Sequence, residues 1–143
     1  FMKNFDIDMV GMGPFLIHEH TPMAEYIDEW RIRKDEITKL ALKMIAATRL
    51  AMPDINIAST TALETINKNG KELGLRFGAN VIMPNLTPMD LRKNYSLYNG
   101  RSVKDEFDKW SYDKEGNFRI GGRPVGLHEW GDSPHFKKKY LMV

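Results

Sequence analysis

Three times between Ile7 and Gly100 a short apolar run gives way to a stretch with helical spacing, and that alternation constrains the fold more than any other feature. Strands alternating with helices through short connections imply an α/β arrangement, with parallel strands and helices packed outside them. The crossovers should be right-handed, because twisted parallel strands fold back that way in ~98% of cases. Three units do not close a barrel, which takes about eight. The first and last strands would then carry apolar edges, a hazard that natural folds cover. The expectation is the closing part of a larger strand–helix barrel. The start at Phe1, with almost no lead-in before a buried-looking strand, fits the same reading.

The units can be placed. "IDMVGMGPFLI" (Ile7 to Ile17) is apolar without strict alternation, the pattern of a strand covered on both faces. Gly11, Gly13 and Pro14 break it, so the strand should end near Met12. From Asp35 to Met52 the period becomes helical, with Ile37, Leu40, Ala41, Met44, Ile45 and Thr48 on one buried stripe and Pro53 as the stop. Ile55 to Thr61 returns to strand character. The following stretch, 67–80, reads as a helix with Leu73 and Phe77 four apart and Gly78 as its C-terminal cap. "NVIMPN" is a third strand stopped by Pro84. A third helix should start at Thr87, with Pro88 in its first turn and Leu91, Tyr95 and Tyr98 on its apolar stripe.

Beyond Arg101 the pattern weakens, which divides the chain into 1–100, a partial barrel, and 101–143, an irregular C-terminal extension. Within the extension, "WSYDKEGNFRI" suggests a hairpin turning at Glu115-Gly116-Asn117, and the lysine run near the end reads as a solvated face.

Composition narrows the function classes. The 143 residues are 42% hydrophobic and 28% charged, as in a globular protein rather than a disordered one. A net charge of +2 is too small to point to nucleic acid or to a membrane surface. No apolar run is long enough to span a bilayer and no signal-peptide pattern is visible, so a cytoplasmic location is expected. There are no cysteines, which excludes disulfides and thiolate ligation from this chain.

In a strand–helix barrel, ligands bind at the C-terminal ends of the strands. The first strand delivers Met12, Gly13, Pro14 and then His18. The second delivers Ser59, Thr60 and Thr61, and the third Met83, Pro84 and Asn85. Glycines there let a flat ligand approach the backbone. The two threonine hydroxyls and the amide suit carboxylate or phosphate-like groups, although Thr60 and Thr61 could equally cap the next turn. Arg49 is expected to anchor its helix to a loop. "HEHTP" holds His18 and His20 one residue apart, a superficial likeness to the amidohydrolase and phosphotriesterase-like metallohydrolases. A catalytic zinc site takes about three protein ligands, and the other strand ends offer no histidine. No metal ligand is therefore assigned; a metallohydrolase built on the His18-x-His20 pair stands as the alternative function, beside ordinary loop histidines and a stand-alone binding module.

"LALKMIAATRLAMPDINIASTTALETI", "GANVIMPNLTP" and "WGDSPHF" together resemble the HydE-like radical S-adenosylmethionine maturases, which help build the active-site cluster of FeFe-hydrogenases. "MIAATRLAMP" and "GAN" are more remotely similar to biotin synthase. The likeness covers roughly residues 4–100 and returns at 127–136. It implies a (β/α)8 barrel of TIM type, of which this chain would supply the sixth, seventh and eighth units and the extension. It also implies S-adenosylmethionine and a 4Fe–4S cluster in the full-length parent. The cysteine loop that holds that cluster belongs near the family's N-terminus and is absent here, so this piece alone should be inactive. The 102–126 tail departs from the cysteine pattern of an accessory cluster. By resemblance, the backbone around Met9, Gly11 and Met12 contacts S-adenosylmethionine. Thr60, Thr61, Met83, Pro84 and Asn85 line the internal cavity, Tyr98 closes it, and His18 is a polar contact to cofactor or substrate. The implied partners are a small organometallic iron substrate and other hydrogenase maturation proteins, with no nucleic acid and no membrane.

Overall fold

A computed structural model describes residues 2–84, 88, 91, 111–116, 118–127 and 129–140. The third helix expected from Thr87, with Asn85 and Tyr98, lies outside the described residues.

The first part is a three-stranded parallel sheet with helices on one side. Strand β1 (Met9–Met12) pairs with β2 (Asn56–Ser59), and β2 pairs with β3 (Val81–Ile82), in the order β1-β2-β3. Met9 stands opposite Asn56, Met12 opposite Ser59, and Ser59 opposite Ile82. Strand order therefore follows chain order, without the reversal that marks a doubly wound sheet. β1 ends at Met12 as expected, where Gly13 and Pro14 turn the chain into a loop.

That loop carries a short 3-10 turn (Pro22–Tyr26) and helix α1 (Ile27–Ile32), neither of which the sequence reading singled out. Helix α2 (Lys34–Ala51) stops just before Pro53. Its buried residues are Thr38, Ala41, Leu42 and Ile45. The expected stripe is corrected in part: Leu40 and Met44 are 60% and 51% exposed. The helix packs with a rotation that sets Leu42 inward and leaves these two on the outer face.

Between β2 and β3 the chain forms two helices, α3 (Thr61–Ile66) and α4 (Gly70–Arg76), where one was expected. The break falls at Asn67-Lys68-Asn69. Asn67 takes an extended backbone, and its side-chain oxygen accepts from the Asn69 N–H at 2.9 Å. Such asparagine bonds compete with the helical ladder. Gly78 follows α4 at φ +119°, so the expected C-terminal glycine is present.

The core lies between the sheet and the helices. Ile45, Ile55, Ile57 and Leu63 are fully buried, each contributing about 1.5–3 kcal/mol by leaving water. Alternation decides which strand residues join them: Val10, Met12 and Ile82 pack on this core, whereas Met9 and Gly11 lie on the open face of β1. β1 is thus covered on one face only, which corrects the reading of a strand buried on both.

The extension forms an antiparallel sheet of β4 (Ser111–Tyr112), β5 (Phe118–Ile120) and β6 (Arg123–Pro124). The expected hairpin is β4–β5, with Tyr112 opposite Phe118 and their rings 4.6 Å apart, edge to face. Ile120 inserts into the main apolar cluster and ties the extension to the first sheet. Helix α5 (Pro134–Tyr140) ends the described chain. Its lysines correct the reading of a solvated run. Lys138 Nζ is 2.9 Å from Asp54 Oδ2, and Lys139 Nζ is 2.8 Å from Asp6 Oδ2 and 2.9 Å from Asp8 Oδ1. Only Lys137 of the three keeps to the exposed side without a described ion pair. Among the described residues no helix is long and apolar enough to cross a membrane.

Candidate functional site

The parallel register brings the ends of β1 and β2 side by side, and the residues after them meet. A Cβ placed on Gly13 would run into Thr60 Oγ1 and lie 3.6 Å from Ala62 Cβ. A glycine is needed there because the two strand tips touch. Thr60 occupies the N-cap position of α3 with an extended backbone, yet its hydroxyl makes no capping bond. Its Oγ1 is buried and has no hydrogen-bond partner among the described residues. The capping alternative for Thr60 therefore holds for the backbone position and fails for the side chain. Thr61 is the first residue of α3, and its carbonyl accepts from Thr65 Oγ1 at 3.0 Å.

The third tip supplies Met83, half exposed, and Pro84. Lys71 of α4 reaches this tip: its Nζ is 3.5 Å from the Met83 carbonyl and 3.0 Å from Glu64 Oε2 of α3. Both charged side chains are mostly buried, at 13% and 17% exposure, so this pair is poorly screened by solvent. The sequence reading named neither residue. Their seven-residue spacing, two helical turns, was the available signal, but it is split between α3 and α4.

Of the three β1 residues assigned to cofactor contact, Met9 is exposed and Gly11 has open space where a Cβ would stand. Met12 turns the other way, with Thr48 Oγ1 of α2 at 3.6 Å from its sulfur, so only its backbone faces the strand-end surface. His18 is half-buried in the loop after β1. Its Nδ1 accepts from the His20 N–H at 3.1 Å, and its carbonyl accepts from Thr21 Oγ1 at 2.7 Å. His20 points outward, its side chain 81% exposed. The two rings lie 5.3 Å apart, but no group of three or more metal-ligating side chains is assembled among the described residues. The metallohydrolase reading gains nothing from this geometry. The loop itself is pinned by Trp30, whose Nε1 donates to the Phe15 carbonyl at 2.9 Å, with Lys34 Nζ 5.3 Å from the ring centre.

A separate cavity of about 750 Å³ opens at the opposite end of the sheet. Met9, Asn56 and Asn80 line it at the start of the three strands, and Arg123, Trp130 and Asp132 of the extension face them. Of the assigned residues that are described, only Met9 lines it, whereas Thr60, Thr61, Met83 and Pro84 belong to the strand tips.

At the same end as the cavity, where β2 and β3 begin, lies the anchor formed by Arg49. Its Nε donates to the Gly78 carbonyl at 2.9 Å, and Nη1 to the carbonyls of Pro53 at 2.9 Å and Ile55 at 2.8 Å. Nη2 reaches Asn80 Oδ1 at 3.0 Å. Asn80 in turn accepts from the Ile57 N–H at 2.8 Å and donates to Asn56 Oδ1 at 2.8 Å. Burial lowers the Arg49 pKa from its ordinary value, partly offset by the Asp54 carboxylate. The network joins the arginine of "MIAATRLAMP" to the segment "GAN", through the Gly78 carbonyl and the Asn80 side chain.

Comparison with known proteins bears on the same segments. The profile of the Biotin and Thiamin Synthesis associated domain matches residues 14–111. Over 108 residues, 76% of this chain, the sequence is 50% identical to the FeFe hydrogenase maturase subunit HydE of Thermotoga maritima. The chain spans 29% of that relative's length.

Proposed function

We propose, given that this chain belongs to the Biotin and Thiamin Synthesis associated domain family, that it forms part of a radical S-adenosylmethionine enzyme of the HydE kind, acting in FeFe-hydrogenase maturation. The observation that carries this reading is identity at half of 108 aligned positions to a hydrogenase maturase subunit. The sequential parallel order β1-β2-β3 supports the reading of three consecutive units of a (β/α)8 barrel. The exposed Leu40 and Met44 of α2, and the edge of β1 that pairs with no strand among the described residues, are the surfaces a preceding unit would cover.

The residues present fit only part of the implied chemistry. A 4Fe–4S cluster is held by thiolates, and with no cysteine this chain supplies none of its ligands. S-adenosylmethionine fits better. The open space at Gly11 and the exposed Met9 leave the backbone of β1 accessible along one face. When bound, that cofactor supplies radical chemistry, and the protein positions and shields it. In this role Met9, Gly11 and the Met12 backbone would form its wall. Thr60, whose hydroxyl has no partner among the described residues, would offer a hydrogen bond to the substrate, with Thr61, Met83, Pro84, Asn85 and Tyr98 assigned to the same cavity. His18, at the mouth, would be a polar contact. The substrate would be a small organometallic iron species in the cytoplasm, handed on to other maturation proteins.

The test is made on the complete enzyme with its cluster reconstituted under reducing conditions. Formation of 5′-deoxyadenosine, lost or uncoupled from product in Thr60→Val, is the expected result. A reconstituted enzyme that makes no 5′-deoxyadenosine with any iron substrate would refute the reading.

A further inference from the structure

The last described segment, Glu129 to Tyr140, is joined to the sheet in an unusual way. Helix α5 buries none of its residues. Its attachment is a cluster of charges at the start of the strands. His135 Nε2 is 2.8 Å from Asp6 Oδ1 and its Nδ1 is 3.5 Å from Asp54 Oδ2. Lys138 bonds Asp54, and Lys139 bonds Asp6 and Asp8. The three carboxylates come from two places, the lead-in to β1 and the turn between α2 and β2. Two hydrogen bonds to backbone carbonyls complete the joint: the His135 N–H donates to the Asp54 carbonyl at 2.9 Å, and the Asn56 side-chain Nδ2 donates to the Gly131 carbonyl at 2.7 Å.

The same segment lines one side of the cavity of about 750 Å³, through Trp130, Gly131, Asp132 and Pro134. Apolar burial, which holds the rest of the core and is indifferent to charge, is almost absent from α5. Beside those two hydrogen bonds, what holds this segment to the sheet is a balance of charges. With a neutral imidazole the cluster sets three carboxylates against two ammonium groups. Protonation of His135 evens the count.

We propose that the segment from Glu129 to Tyr140 is a lid over the cavity, latched by the ion pairs of α5, with His135 as its pH-sensitive catch. The groups facing that imidazole are Asp6 and Asp54, which favour its charged form, and Lys139, which opposes it. The net effect raises its pKa above the ordinary value, with the Asp6 hydrogen bond the largest cause. The sign follows. A raised histidine pKa gives a contribution fully present below about pH 6.5 and lost as the pH climbs through the folded value. The lid is therefore tight in mildly acid solution and loosens in alkali. The latch stands on the ion-pair geometry and the cavity, independently of the maturase reading.

Hydrogen exchange of the full-length protein that carries this chain tests this, read as protection factors at about pH 5.5 and about pH 8.5, on either side of the imidazole's ordinary value. Residues 131–140 should lose protection roughly two- to fivefold at the higher pH, the range that an exposed ion pair supplies, while α2 keeps its protection. His135→Gln should abolish that pH response, and Lys137→Ala, outside the cluster, should leave it intact. An unchanged protection ratio in the native chain, a His135→Gln variant with the same response, or a parallel loss across α2 would each overturn the latch.

Discussion

Replacing Arg49 by alanine removes four donated hydrogen bonds at once, and its cost can be worked from their surroundings. The bonds to the Gly78 and Ile55 carbonyls are partly buried, whereas those to Pro53 and Asn80 lie where water can substitute. A hydrogen bond to a charged group is worth about 1.5–3 kcal/mol, and an unsatisfied buried acceptor costs a similar amount. Counting only the two partly buried bonds, and discounting for water that fills the space, the loss should be about 2–4 kcal/mol. Against a total stability of roughly 5–15 kcal/mol for a domain, that is a large share. In urea, where slopes run at about 1–3 kcal/mol per molar, a middle slope of about 2 puts the fall in the unfolding midpoint at roughly 1–2 M. Arg49→Lys should recover little, because an ammonium cannot present the planar fork that reaches four acceptors in two directions. The decisive comparison is Arg49→Ala with Asn80→Ala and the double variant. Residues sharing one network should be markedly non-additive. A loss under about 0.5 kcal/mol, the ordinary range for a surface substitution, or strict additivity with Asn80→Ala, would refute the reasoning.

Gly13→Ala should destabilise by about 1–3 kcal/mol because its Cβ meets Thr60 Oγ1. Thr60→Ala, which loses no hydrogen bond, should cost less and restore part of the stability in the double variant, as a thermal double-mutant cycle would reveal. Gly74→Ala should cost about 1–3 kcal/mol, since its Cβ meets Ser59 Oγ and displaces the 3.0 Å bond from that hydroxyl to the Lys71 carbonyl; the measurement is a fall in Tm of several degrees. On the acid side, Lys139 and then His135 hold the Asp6 pKa below its usual range, and Lys138 does so for Asp54. Those contributions are present above about pH 4 and lost as the pH falls through the lowered values. Exchange of the α5 amides should therefore rise below about pH 4 before α2 melts, and less so in Asp6→Asn. Trp30→Phe removes the N–H held by the Phe15 carbonyl and should cost about 1 kcal/mol, read as faster exchange across the loop from Phe15 to Thr21.

Some of this molecule is written in local spacing. The three strands, the long helix stopped by Pro53, the glycine after α4 and the hairpin that joins Tyr112 to Phe118 follow from periodicity and backbone preferences, which act over a few residues. So does the set of tips carrying Gly13, Thr60 and Met83, because a strand's end is visible in the residues that break it. Which way each element turns is another matter. Leu40 and Leu42 are equally apolar, and only packing against the sheet decided that Leu42 faces inward. Met12 sits at a tip in the sequence but reaches Thr48 on α2, since alternation along β1 is set by the register with β2. The pairings that close the structure join distant positions: Arg49 with Gly78 and Asn80, and Asp6, Asp8 and Asp54 with His135, Lys138 and Lys139. An isolated lysine run reads as solvated because its partners lie some eighty to a hundred and thirty residues away. Charge acts through space rather than along the chain, so the amino-acid order determined the elements, and the tertiary structure alone decided which charges meet and what they hold shut.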